Sequence, residues 1–129
     1  MACNPLIIWR PIPAGSRFIP KTSGDDSVYD VVVFVTKNGQ ALEKLRHAEI
    51  AAGTAEVPFV EGDQFVFDVA LTLMNKPANS ITLDLQVVDT NGAAVSVADG
   101  TGGQRPASCS SAFDDPAQSP IMIKVIAVA

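Results

Sequence analysis

The sequence predicts an all-β protein, an antiparallel β-sandwich of immunoglobulin-like or jelly-roll type with about seven strands. Residues 64–74 (QFVFDVALTLM) carry an apolar side chain at every odd position from 65 to 73, and residues 81–88 repeat this alternation. Side chains on a strand alternate between its two faces, so each segment has one face suited to a core. Asn-Gly dipeptides at 38–39 and 91–92 add turn signals between such segments.

Length and composition indicate one domain with a distinct N-terminal segment. The chain has 129 residues, 47% hydrophobic and 18% charged, which suffices for a buried core. Residues 1–24 hold four prolines and three basic residues but no acidic one, which predicts an extended proline-rich arm. Residues 25–129 then form the single β-sandwich domain. The charge split has two interpretations: chance placement in a solvated tail, or attraction of the arm to an acidic surface of this domain or a neighbour.

Charge and hydropathy exclude two classes of partner. The formal net charge is −5, and an acidic domain repels phosphate backbones, so we expect no nucleic-acid partner. No apolar run reaches the length of about eighteen residues that a spanning helix needs, so we expect no membrane span. We expect a cytoplasmic protein if Met1 is the native start, and a secreted or surface-anchored one if a leader was removed before Cys3.

The two cysteines leave two alternatives. Cys3 and Cys109 permit one disulfide, which would tie the arm to a late loop. Two unrelated free thiols are the other interpretation, and we slightly favour the free thiols.

The first half of the chain predicts an edge strand, an interior strand and an ambiguous segment. Residues 6–9 (LIIW) lie between prolines, which favours a short edge strand. Residues 28–37 (VYDVVVFVTK) are apolar on both faces at their centre, which favours an interior strand. The Asn-Gly at 38–39 predicts a type I′ hairpin turn. Residues 40–52 have helix-forming composition, so we expect a short helix there, with a hairpin return strand as the alternative.

Four further strands belong to the second half. Residues 56–60 predict a short strand before a turn. Residues 64–74 and 81–88 are expected to pair as a hairpin across a polar loop, because both carry their apolar residues at odd positions. The Asn-Gly at 91–92 predicts a second hairpin that returns through residues 93–98.

The end of the chain combines a long loop with a very apolar strand. Residues 99–120 are rich in Gly, Ser, Asp and Pro, which predicts an irregular loop of the length that often carries function. Residues 120–129 (PIMIKVIAVA) are apolar on both faces apart from Lys124. We therefore expect this last strand to pair inside a sheet or with another chain.

Few side chains support catalysis, and we expect the protein not to be an enzyme. His47 is the only histidine, so a Ser-His-Asp or Cys-His mechanism has to pass through it. No zinc-ligand spacing and no glycine-rich phosphate motif is present, so we expect no cofactor. Calcium in the long loop is a minor alternative, with Asp99, Asp114 and Asp115 as candidate ligands.

The sequence favours a non-catalytic structural or interaction module, a homo-oligomer or part of a larger protein complex. Its N-terminal arm and C-terminal strand are the expected contact segments. The alternative is a carbohydrate-binding or other ligand-binding module that uses residues 99–120, with or without calcium. The even positions of residues 64–72 are less polar than a solvated face, so we expect the arm or another subunit to cover them. Candidate binding residues are apolar, aromatic and basic side chains of the arm and the long loop: Leu6, Ile8, Trp9, Arg10, Arg17, Phe18, Arg105 and Phe113.

Overall fold

The secondary structure is almost wholly β. The computed structural model describes all 129 residues and contains eleven strands, one short helix, α1 (His47–Ala52), and a 3-10 turn at Pro116–Gln118. The strands are β1 (Leu6–Trp9), β2 (Arg17–Ser23), β3 (Tyr29–Lys37), β4 (Gln40–Ala41), β5 (Val57–Pro58), β6 (Gln64–Leu73), β7 (Ile81–Val88), β8 (Ser96–Ala98), β9 (Gln104–Pro106), β10 (Ser108–Phe113) and β11 (Ile121–Val128). The predicted all-β class is confirmed, and β2, β4, β9 and β10 raise the number of strands above the seven predicted.

Two sheets pack face to face and confirm the sandwich. The five-stranded sheet has the order β1-β11-β6-β3-β4, and the four-stranded sheet has the order β10-β7-β2-β5. Every pair within these sheets is antiparallel except β1 with β11, which is parallel. A small separate sheet joins β8 to β9. Buried apolar side chains from both large sheets form one core of 28 residues.

Strand β6 lies between β11 and β3, and it shows the predicted alternation. Its odd positions, from Phe65 to Leu73, are buried in the core. Its even positions face away from the core and are partly exposed. The final strand, β11, is also interior, between β1 and β6, as the apolar composition of its sequence predicted.

Residues 1–24 are not an arm apart from the domain, and this prediction needs correction. β1 pairs with β11 in the five-stranded sheet, and β2 lies between β7 and β5 in the four-stranded sheet. Prolines argue against a strand with neighbours on both sides, but β2 has two neighbours only over its first two residues, where it pairs with β5. Pro20 therefore lies where β2 has a single neighbour, and its missing N–H costs no sheet hydrogen bond.

The ambiguous segment after β3 contains both alternatives. Asn38 and Gly39 have φ values of 48° and 82°, as a type I′ turn requires, and β4 returns antiparallel to β3. The helix is shorter than predicted and covers only α1. It ends at Gly53, whose φ of 75° is the left-handed cap that glycine adopts most readily.

Of the two predicted hairpins, the one between residues 64–74 and 81–88 is wrong. The one at 91–92 forms only at its tip, where backbone hydrogen bonds join Asp89 to Ala93 and Val95 to Val87. β6 pairs with β3 and β11, whereas β7 pairs with β2 and β10 in the opposite sheet. Shared apolar positions show only that both strands face the core, and two strands in different sheets satisfy that equally well. The strand after the Asn-Gly at 91–92, β8, pairs with β9, and only an isolated bridge from Ala94 reaches β7.

The predicted long loop at 99–120 is largely regular structure. It contains β9, β10 and the 3-10 turn, and β10 pairs with β7 along six residues, from Ser108 opposite Gln86 to Phe113 opposite Ile81. A disulfide joins Cys109 of β10 to Cys3, so the favoured prediction of two free thiols is wrong. β10 lies at the edge of its sheet, where one side faces water and small polar residues are tolerated. Loops have a similar composition, so the sequence of β10 predicts a loop.

No helix in the structure has the length and hydrophobicity needed to cross a membrane.

Candidate interaction surface

The outer face of the five-stranded sheet carries an unusual amount of exposed apolar surface. Leu6, Ile8, Phe34 and Met122 expose 56%, 44%, 48% and 56% of their surface, although each belongs to a strand of the sheet. Contiguous exposed apolar patches mark interaction sites in soluble proteins. We call this surface the outer face, and define it by the outward side chains of four strands: Leu6, Ile8, Val32, Phe34, Thr36, Val66, Asp68, Ala70, Met122, Lys124 and Ile126.

The strand register arranges these side chains in rows across the sheet. One row runs from β1 to β3 through Leu6, Lys124, Asp68 and Phe34. Cross-strand neighbours of this kind have Cβ atoms roughly 5 Å apart, so the charged pair occupies the middle of the row and the apolar residues its ends.

The adjacent rows contain no charged side chain. The row on one side runs through Ile8, Ile126, Val66 and Thr36. The row on the other side joins Met122, Ala70 and Val32. The outer face is therefore an apolar surface with a polar centre in one row.

The charges on the outer face are paired within it. The Nζ atom of Lys124 lies 3.9 Å from the Oδ1 atom of Asp68, in adjacent strands. At the margin, the Nζ atom of Lys44 lies 5.8 Å from the ring centroid of Phe34, a cation–π contact. Asp30 lies near the start of β3, and its Oδ1 atom is 3.5 Å from Nδ1 of His47. Cations and anions are balanced on this face, whereas the whole chain carries −5.

The edges of the same sheet offer little room for an added strand. β1 has only four residues, and β4 at the other edge has only two. The Nη2 atom of Arg105 donates a hydrogen bond of 3.2 Å to the carbonyl oxygen of Ile8 in β1. Short edges covered by a basic side chain are a common protection against edge-to-edge pairing. The sheet therefore presents its face rather than its edges.

The structure divides the predicted binding residues among several regions. Leu6 and Ile8 lie on the outer face. Trp9 and Phe18 are 2% and 0% exposed, so both belong to the core and present no ring to a ligand. This corrects their assignment as contact residues: each sits at an inward position of its strand.

Of the remaining candidates, only Arg10 and Arg105 come together, beside Ile8. Arg10 and Arg105 flank an open depression beside β1, and Arg17 forms an ion pair of 3.1 Å with Glu56. That pair fits the predicted attraction of the basic segment to an acidic surface of its own domain. Phe113, half-buried, ends β10 in the other sheet.

Sequence reasoning missed the residues that complete the outer face. Phe34 and Met122 belong to segments that are apolar on both sides, a pattern that predicts burial on both sides. The sequence feature that could have identified this face is the weak polarity of the even positions of β6, because it predicts apolar side chains on the outer side of the sheet. Joining that signal to β1, β3 and β11 required the order of the strands.

The candidate calcium ligands act in separate turns. Oδ1 of Asp99 accepts hydrogen bonds from Oγ1 and N of Thr101 and from N of Gly103, and these bonds lower the pKa of this carboxyl. Asp115 caps the 3-10 turn by accepting from the backbone of Ala117, and Asp114 forms no cluster with either. No group of three His, Cys, Asp or Glu side chains converges anywhere in the chain.

The surroundings of the single histidine provide no nucleophile. The His47 ring packs on Tyr29 at 4.7 Å between centroids, and its Nδ1 atom lies 3.5 Å from Oδ1 of Asp30. No serine, threonine or cysteine forms a hydrogen bond with its nitrogens, and Nδ1 is a buried atom without a hydrogen-bond partner. Both cysteines are joined in the disulfide.

Comparison with known proteins gives no family assignment: no family model, no curated protein and no solved structure matches this chain.

Proposed function

We propose that this protein is a non-catalytic interaction module that docks on another protein surface through its outer face. The observation that carries the proposal is the grouping of four half-exposed large apolar side chains on one sheet face: Leu6, Ile8, Phe34 and Met122. Two of them come from the N-terminal segment and one from the last strand, the two segments that the sequence suggested as contact regions. These segments are neighbours, because β1 pairs with β11.

The dimensions of the outer face fit a small interface. Three strands of about eight residues and the four residues of β1, spaced about 4.8 Å apart, cover roughly 450 Å². That is below the area of about 600 Å² per partner found in the smaller stable protein–protein interfaces, and in the range of weak, transient complexes. The face has apolar residues over most of this area and few charges, as interface centres do.

The chemistry of the chain supports a non-catalytic role. Nucleophilic catalysis needs a hydroxyl or thiol within hydrogen-bond reach of its base, and His47 has none. Neither cysteine is available as a thiolate, because Cys3 and Cys109 are bonded to each other.

The disulfide also supports an oxidising location. Such bonds persist in secreted proteins, on cell surfaces and in comparable compartments, and are rare where thiols are kept reduced. We therefore propose a secreted or surface-exposed protein rather than a cytoplasmic one.

The experiment that tests the proposed function compares native assembly size in extracts. Tagged wild-type protein should elute from a sizing column at a mass well above its own 13.5 kDa. Phe34→Glu, which places a charge in the outer face, should elute as the free chain. Val60→Glu is the matched control, because Val60 is 58% exposed and lies outside the face. Elution of the wild type as a free chain, or loss of the assembly in both variants alike, would contradict the proposal.

Carbohydrate binding is the second candidate function, and one observation favours it. The outer side of the four-stranded sheet has a polar depression of about 390 Å³ along β10, lined among others by Lys21, Asp84, Gln86, Ser108 and Ser110. Carboxylate, amide and hydroxyl groups of this kind bind sugar hydroxyls. A glycan array with and without calcium tests it, and a signal lost in Asp84→Ala would support it. An array without signal in both conditions would reject it.

A further inference from the structure

We propose that the partner of the outer face is a second copy of this chain, docked face to face about a two-fold axis that runs parallel to the strands between β11 and β6. This inference rests on the proposed function and names the partner. The two copies would bury the same face, as isologous dimers do. Each sheet would pack on its copy at the spacing of about 10 Å found between aligned sheets.

The row through the charged pair is complementary to itself under this rotation. The axis brings β11 over β6 of the other copy and β1 over β3 of the other copy, at the same height along the strands. Lys124 of one copy then meets Asp68 of the other, since the two are register partners within each copy. Leu6 likewise meets Phe34, because both belong to that row. Four charges alternate in sign at the centre, and apolar side chains flank them.

The neighbouring rows obey the same rule. Ile126 meets Val66 of the other copy, and Met122 meets Ala70, because each couple is a register pair in β11 and β6. No row brings two like charges together. Axes between the other strand pairs would lose this matching. An axis between β1 and β11 would place Lys124 over Leu6 of the other copy, and one between β6 and β3 would place Asp68 over Phe34.

Charge balance favours a like partner in spite of the net charge of the chain. Two copies at −5 repel each other over most of their surfaces, and ions screen that repulsion beyond roughly 8 Å at physiological ionic strength. The outer face itself is neutral, because Asp68 is paired with Lys124 and, at its margin, the cation Lys44 beside Phe34 is balanced by the anion Asp30.

Charge reversal tests the arrangement through complementation between copies. In Lys124→Glu, both cross-copy contacts become acid against acid, and in Asp68→Lys both become cation against cation. Each variant alone should therefore dimerise at least about 100-fold more weakly than the wild type, since like charges in contact cost several kcal/mol. Mixed together, the two variants regain opposite charges at both contacts, and should form a heterodimer. Sedimentation equilibrium from about 1 µM to about 1 mM measures all four samples.

A matched pair on the other sheet serves as the control. Lys21 and Asp84 are also a cation and an anion in cross-strand register, on the outer side of the four-stranded sheet. Lys21→Glu and Asp84→Lys should dimerise as the wild type does. Circular dichroism and the urea unfolding midpoint identify any variant that fails to fold, and heterodimer formation itself requires both variants to be folded.

The outcomes separate this inference from the proposed function. A wild-type mass that rises from 13.5 kDa to twice that value, lost in each reversal variant and restored in their mixture, supports the two-fold dimer. A mixture that stays monomeric while the wild type dimerises overturns it. A purified wild type that stays monomeric also overturns the two-fold dimer. If the assembly in extracts is nevertheless lost in Phe34→Glu and kept in Val60→Glu, the proposed function stands, with a different protein as the partner.

Discussion

The ring of Phe18 in β2 stacks on the ring of Phe67 in β6, with 3.9 Å between the ring centroids and 8° between the ring planes. Both side chains are fully buried, and the contact joins the two sheets. Phe18→Ala should therefore lower the free energy of unfolding by about 3–5 kcal/mol, since it removes a large ring and leaves a cavity between the sheets. Urea unfolding measures the loss. Val60→Ala, at an exposed position, should change the same quantity by no more than about 0.5 kcal/mol.

The disulfide between Cys3 and Cys109 should stabilise the fold strongly. It spans 106 residues of sequence, and closing a loop of that length restricts the unfolded chain enough to contribute about 4 kcal/mol. Guanidinium unfolding of the wild type should shift to lower denaturant when a reductant is added. The double variant Cys3→Ser, Cys109→Ser should unfold at the lower midpoint with or without reductant. Two reactive thiols in the native wild type would contradict this expectation.

Asp63 is a buried carboxylate that closes the turn before β6. Its Oδ2 atom accepts a hydrogen bond of 2.8 Å from the backbone of Val60, and its Oδ1 atom lies 3.6 Å from Nζ of Lys37. Asp63→Ala leaves the Val60 N–H without its acceptor and removes the ion pair with Lys37, so the free energy of unfolding should fall by about 1–3 kcal/mol. Asp63→Asn keeps an oxygen acceptor and should lose less. Glu61→Ala in the same turn is the control; a loss there equal to that in Asp63→Ala would show that the turn, and not the carboxylate, is responsible.

The carboxyl of Asp99 should titrate below its ordinary pKa of 3.8, mainly because the Thr101 hydroxyl donates a hydrogen bond to the charged form. A folded-state pKa below the unfolded value contributes stability that is present above the unfolded pKa and is lost as pH falls through the folded pKa. Thr101→Val removes the hydroxyl donor, so the Asp99 pKa should rise toward 3.8. Carboxyl titration by NMR in both proteins measures this. An Asp99 pKa that does not move in Thr101→Val would refute the explanation.

Local patterns were enough to predict the fold class and several elements. The alternation of β6 and β7 identified their core faces, and the Asn-Gly at 38–39 identified the hairpin to β4. These signals are local, because side-chain direction and turn geometry depend on a few adjacent residues. The weak polarity of the even positions in β6 also pointed to an outward face with apolar side chains.

Non-local relationships were not predictable in the same way. The assignment of β6 and β7 to different sheets, the parallel pairing of β1 with β11 and the bond between Cys3 and Cys109 all join distant parts of the chain. Composition was also misleading in β10, an edge strand of small polar residues, and in β2, where Pro20 lies beyond the two residues that pair with β5. The outer face combines four strands from four separate regions of sequence, so no single window of the sequence displays it.

The parallel pairing of β1 with β11 determines when the sandwich is completed during synthesis. β11 lies between β1 and β6, so the nascent chain cannot close the five-stranded sheet until residues 121–128 have left the ribosome. Until then β1 lacks its only sheet neighbour, and one side of β6 has unpaired backbone groups. Folding on the ribosome should therefore halt at an incomplete sheet, and the bond between Cys3 and Cys109 has to wait until β10 has emerged.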